Sequence, residues 1–146
     1  MGGRFFMHMK RVMEYIFLWM IGGTVYYSFE IIFRGFSHWS MFVLGGLCFV
    51  FFWLQGHWTK WEDPMWLQVA RCTVFVIACE FITGIIVNKW MDWQVWDYSD
   101  HPFQVFGQIC LPFATIFSGM CAMGILLSGK IMQVLFGEEK PNYHIL

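Results

Sequence analysis

The sequence predicts an all-α integral membrane protein with four transmembrane helices. Three observations carry this. Of the 146 residues, 58% are hydrophobic and only 13% charged, with 17 Phe and 9 Trp, more apolar surface than a core of this size can hide from water. Four apolar stretches, residues 12–33, 38–54, 65–87 and 103–127, are close to the about 20 residues that cross a hydrocarbon layer of ~30 Å. The strict alternation of a membrane strand is absent, and a helix satisfies its own backbone in lipid. The formal charge of −1 offers no basic face to a phosphate backbone, which excludes nucleic acid as a partner.

The first stretch follows Arg4, Lys10 and Arg11. It resembles a signal peptide in charge but lacks a small-x-small cleavage site and has spanning length, so it reads as a retained helix behind a basic-aromatic interfacial arm, residues 1–11. Spans two to four complete a membrane domain of residues 12–128, with residues 129–146 as a cytoplasmic tail. If the N-terminus is cytoplasmic, Arg4, Lys10, Arg11, Lys60, Arg71, Lys130 and Lys140 lie inside, and only Arg34 and Lys89 outside. That asymmetry predicts both termini inside a bacterial plasma membrane. Trp58, Trp61 and Trp66 then mark one boundary, and Trp39, Trp90, Trp93, Trp96 and Tyr98 the other, as anchoring at headgroups requires.

Two short likenesses suggest a pair of parallel helical hairpins. Glu30-Ile31-Ile32 matches Glu80-Phe81-Ile82, and Gly45-Gly46-Leu47-Cys48 matches Gly107-Gln108-Ile109-Cys110; chance in a low-diversity composition is the competing explanation. In span 4, Ala114, Ser118 and Ala122 form a small-residue stripe that lets helices approach closely, within the chain or between two copies. Pro112 is expected to kink that span. The five cysteines, Cys48, Cys72, Cys79, Cys110 and Cys121, have no metal-type spacing and read as buried apolar residues.

Polar residues gather toward the outer side. Glu80 falls past the middle of span 3, where an acid costs about 2.5–3.5 kcal/mol and must face protein or water. Glu30 can pair with Arg34 four residues on. His38 opens span 2, Asn88 closes span 3, and Gln108 is expected about one turn inside span 4. The long loop from Trp90 to Pro102 adds Trp96, Asp97, Tyr98 and His101 as a folded cap. Glu80 has two readings: it accepts hydrogen bonds from Gln108 or Trp indoles and locks the bundle, or it serves a cation, proton or small polar ligand. The cap likewise reads as headgroup anchor or as a cation site built from acids and aromatic faces. A zinc site from Asp97, His101, Glu30 and His38 lacks diagnostic spacing. Arg71, on the inner side, can snorkel to headgroups without a partner. No phosphate loop, dinucleotide fingerprint or nucleophile turn is present, so neither an enzyme nor a cofactor is expected.

Tyr26-Tyr27-Ser28-Phe29-Glu30, Arg34-Gly35-Phe36-Ser37-His38-Trp39-Ser40, Gly45-Gly46-Leu47-Cys48, Glu80-Phe81-Ile82-Thr83-Gly84 with Asn88, Trp96-Asp97-Tyr98-Ser99 and Gly107-Gln108-Ile109-Cys110-Leu111-Pro112 together resemble the bacterial ABC-transporter type IV, or CmpB-type, permeases. The resemblance runs from about residue 15 to residue 127 and implies a transport permease, with an ATPase or other transport protein as partner. The short inner loop, residues 55–64, offers such a motor little surface. Residues and resemblance together lead to one expectation: a homo-oligomeric, preferably dimeric, permease or channel in the lipid bilayer. Its outer vestibule, lined by Glu30, Glu80, Asp97 and Gln108 with Arg34, His38, Asn88, Trp96, Tyr98 and His101 around it, would admit a cation or small polar solute. The alternative is a non-transporting membrane module whose Trp/Asp cap binds a lipid, ligand or partner protein.

Overall fold

The computed structural model describes residues 2–146. It contains α1 (Gly2–Arg34), α2 (Trp39–Trp58), α3 (Met65–Gly84), a π-helical continuation of α3 (Ile85–Trp90), and α4 (Leu111–Phe136). All four helices are long and apolar enough to cross a membrane, and the described residues contain no strand, only an isolated bridge between Val105 and Ile109. Short connections make neighbouring helices antiparallel. Both chain ends and the 59–64 turn therefore share one end of the bundle, where Met65 N–H donates to His144 O at 2.8 Å. The 91–110 loop forms a cap over the other end.

α2 is the most buried helix, with α1, α3 and α4 around it. Its closest partner is α1, and the reason is a glycine pair on each. Gly22 and Gly23 of α1 face Gly45 and Gly46 of α2 so closely that a Cβ on Gly23 would stand 2.6 Å from Phe42 O, and one on Gly46 2.5 Å from Trp19 O. Lipid tails are as apolar as leucine, so helix association here rests on van der Waals contact, which small residues maximise. Around this core the bundle exposes Ile32, Phe33, Val74, Ile82, Met123 and Val134, a surface suited to lipid.

Several expected boundaries change. The arm at residues 1–11 is not a separate element: from Gly2 on it is the start of α1, since nothing between Gly3 and Arg34 breaks a helix, and Met1 lies outside the described residues. At 33 residues and 1.5 Å per residue, α1 is about 50 Å long and overhangs a hydrocarbon layer of ~30 Å. Span 4 starts at Leu111, not Phe103, because Phe103 (φ 52), Phe106 (φ 51) and Gly107 (φ 68) are left-handed turn residues. Gln108 consequently belongs to the cap. Pro112 falls in the first turn of α4, where its missing N–H has no partner to lose, so the expected kink is absent. α4 runs on to Phe136, and Gly137 (φ 70) ends it by donating to Met132 O.

The second hairpin likeness also separates: Gly45–Cys48 lies within α2, whereas the 107–110 segment precedes α4. On α4 the buried line is Phe117, Cys121, Gly124, Ser128 and Met132. Ala114, Ser118 and Ala122 flank it half-buried.

Candidate functional site

The cap is built around Asn88, in the π-helical stretch. Its Nδ2 donates to Gln108 Oε1 at 2.7 Å, and its Oδ1 accepts from Val95 N–H at 2.7 Å and Trp96 N–H at 3.4 Å. Trp96 Nε1 donates to Gln108 O at 3.0 Å, and Gln108 Nε2 to Phe106 O at 2.9 Å. All three side chains are buried, and each polar end that leaves water finds a partner inside the network. Gln108 and Trp96 rest on Gly84, where a Cβ would stand 2.5 Å from Gln108 Oε1. These three residues thus hold the cap on the bundle.

Glu30 and Arg34 pair as expected. Arg34 Nη1 donates to Glu30 Oε1 at 3.1 Å and Oε2 at 2.9 Å, while Nη2 donates to Val95 O at 2.9 Å. The guanidinium therefore ties α1 to the cap as well as holding the acid. His38 caps α2, accepting from Ser40 N–H at 3.2 Å, and its ring sits beside Trp39 and Trp93. His101 leans on Tyr98 and Phe113. Asp97 is exposed and accepts from Ser99 N–H at 2.9 Å; the Ser99 hydrogen bonds, then Lys89, hold its carboxyl below its usual value. Among the described residues no three His, Cys, Asp or Glu side chains are placed to share a metal ion. Asp97, His101, Glu30 and His38 do not form a common site.

Glu80 stands apart. It is 2% exposed, and its Oε2 has no hydrogen-bond partner among the described residues. Gln108 and the Trp96 indole, among its expected donors, are engaged with the cap instead. Tyr98 is the cap residue that faces it: burial first, and the Glu80 carboxylate next, push the Tyr98 phenol well above its ordinary pKa. Tyr26, Glu30 and Arg34 also lie within electrostatic reach of Glu80.

Glu80 lines a cavity of about 270 Å³ between the four helices. The other walls come from Gly22, Val25, Tyr26 and Phe29 of α1, Leu44 to Phe52 of α2, Val76 of α3, and Phe117 to Leu127 of α4. Glu80 is the one ionisable carboxyl on a wall that is otherwise aliphatic, aromatic or thiol. Of the four residues expected to line a vestibule, Glu30, Glu80, Asp97 and Gln108, Glu80 alone borders this cavity. Gln108 is sealed into the cap and Asp97 faces outward.

The expected one-sidedness of polar groups is also corrected. Near the chain ends, Gln55 Nε2 donates to Gln68 Oε1 at 3.0 Å, Arg71 Nη1 to Gln55 Oε1 at 2.8 Å, and Arg71 Nη2 to Asp63 Oδ2 at 2.6 Å. Arg71 thus has partners and does not snorkel free. Gln55 and Gln68 are fully buried and fasten the α2–α3 hairpin. Glu14 is buried too, with Lys10 Nζ 3.4 Å away. An acid within residues 12–33 and glutamines within or just beyond apolar spans are signals the sequence carries for both features.

Fold and site together define a polytopic helical membrane protein with an acid-bearing internal cavity. The family described as Putative ABC-transporter type IV matches residues 12–145, nearly the whole chain, and the protein belongs to that family. No curated protein and no solved structure matches it.

Proposed function

We propose that the protein is a small, non-enzymatic membrane permease that takes up its solute in the Glu80 cavity. One observation carries the reading: a buried carboxyl with an unpartnered oxygen on the wall of an otherwise apolar cavity. An intramembrane acid is costly and is kept where it serves a ligand, an ion or a proton. Family membership supports a role in transport. Within this reading the protein sits in the bacterial plasma membrane with both termini cytoplasmic, works as a homo-oligomer, and presents the 59–64 turn, the C-terminal tail and the α1 overhang to an ATPase or other transport partner. The test is solute flux in proteoliposomes, wild type against Glu80→Gln. Loss of flux in a folded Glu80→Gln protein is the expected result, and equal flux would overturn the assignment.

A second reading rests on the exposed Trp39, Trp90 and Trp93 at the cap end. The cap would then hold lipid headgroups or a partner without any transport. Binding of vesicles that is lost in a Trp90→Ala, Trp93→Ala protein, with no flux in wild type, is its signature.

A further inference from the structure

The cavity is placed differently from a water-filled vestibule. Val25 and Phe29 of α1 and Met123 and Leu127 of α4 line it and are also exposed on the outside of the bundle, so its mouth opens between α1 and α4, in the belt that faces lipid. Above it the cap network closes the route from water, since Asn88, Trp96 and Gln108 are all buried and bonded to one another. A guest therefore enters sideways, from the hydrocarbon.

The walls specify what such a guest looks like. Apolar and aromatic side chains, Phe29, Phe49, Phe52 and Phe117 among them, favour an apolar body. The only strong polar group is the Glu80 carboxyl, and it lacks a partner for one oxygen. Within low-dielectric walls an unpaired acid attracts a cation or a strong donor far more than it would in water, and the Tyr26 and phenylalanine faces add to that for a nitrogen cation. At about 270 Å³ the space lies just below the ~300–1,000 Å³ of ordinary small-molecule sites. We propose that the ligand is a hydrophobic amine, an aliphatic or aromatic body carrying one protonated nitrogen, which enters from the membrane between α1 and α4 and seats its nitrogen on Glu80. This inference rests on the permease reading for its biological sense, but its chemistry is tested separately.

The probe is a diazirine-bearing decylamine, photolysed with the full-length protein in lipid nanodiscs and mapped by peptide mass spectrometry. Labelling of the α1 and α4 segments around Phe29 and Met123 is expected. Decylamine should compete at least about tenfold better than decanol, which has the same chain without the charge, and tetramethylammonium, charge without a chain, should not compete. Glu80→Gln should lower labelling about tenfold at unchanged helicity. Leu127→Trp, on an exposed position that the fold does not need, should narrow the mouth and also lower it; if Glu80→Gln fails to fold, this variant decides alone. Equal competition by decylamine and decanol, or labelling untouched by the folded variants, would overturn the proposal. Amine binding at Glu80 without flux in vesicles would leave the ligand class standing and remove the permease reading. Flux of a small polar cation, with no preference for decylamine over decanol, would do the reverse.

Discussion

Two buried polar residues, Asn88 and Glu80, are separated by two helical turns yet have opposite circumstances. Asn88 uses both acceptor positions of Oδ1, on Val95 and Trp96, and one of its two amide hydrogens, on Gln108. Replacing it with alanine leaves the Val95 N–H and the Gln108 side-chain Oε1 buried without their Asn88 partner, at about 1–3 kcal/mol for each group. Asn88→Ala is therefore expected to loosen the cap and lower the thermal midpoint in detergent, with faster proteolysis between Trp90 and Cys110. Glu80 has an unpartnered oxygen, so Glu80→Gln removes a group whose charge is costly to bury, while its amide oxygen can keep the contact with Tyr98; stability should hold or rise. If unfolding instead showed Glu80→Gln to be as destabilising as Asn88→Ala, the acid would belong to the scaffold. Asp97, on the exposed rim, follows ordinary linkage. Its folded-state pKa is depressed by Ser99, so its turn contributes stability above the unfolded carboxylate pKa and loses it as pH falls through the lower folded value.

At the scale of helices, the closest contact is the crossing of α1 and α2 at their paired glycines. Gly46→Leu would drive a side chain into Trp19, whereas Gly119 on α4 has nothing within 4 Å of its Cβ direction. The first substitution is expected to cost about 3 kcal/mol or more, beyond what overpacked cores absorb, and the second almost nothing. Matched melting curves of the two leucine variants check this, and similar midpoints would remove the glycine crossing as the main helix contact. The C-terminal tail is held in a different way. Tyr143 Oη donates to Ile125 O at 3.2 Å, its ring lies edge-on to Trp61, and burial raises its pKa to about 12. Because the folded value lies above the ordinary 10, the contact contributes fully below pH 10 and is lost as pH rises toward 12. Tail release in that window, followed by proteolysis after Phe136, should be absent in Tyr143→Phe, which has no proton to lose.

For the whole molecule, the four spans were legible because hydropathy and length act locally: apolar runs bounded by Gly35 and Pro64 could hardly be anything but helices in lipid. Glu80 and the Glu30–Arg34 pair were legible for the same reason, as costly charges at known depth. What the sequence hid was tertiary. Gln108 looks like the first turn of a helix until left-handed residues at Phe103, Phe106 and Gly107 are seen to turn the chain. The cavity at Glu80 depends on four helices meeting, which no single stretch encodes. Orientation is the remaining whole-molecule property, and charge asymmetry argues it. Seven of the nine Lys and Arg residues lie toward the end that holds both termini. Two have acid partners there, Arg71 with Asp63 and Lys10 with Glu14, but the rule counts Lys and Arg, and acids contribute little to it. Cysteine at Asp100 in the cap and cysteine at Asn142 in the tail, each alone in a background lacking the five native cysteines, report the two ends, both positions being exposed. An impermeant maleimide applied to intact cells should label the Asp100 position and reach the Asn142 position only after the membrane is opened. The opposite pattern would invert the protein in the bilayer, and labelling of both in sealed cells would mean that the chain crosses an odd number of times.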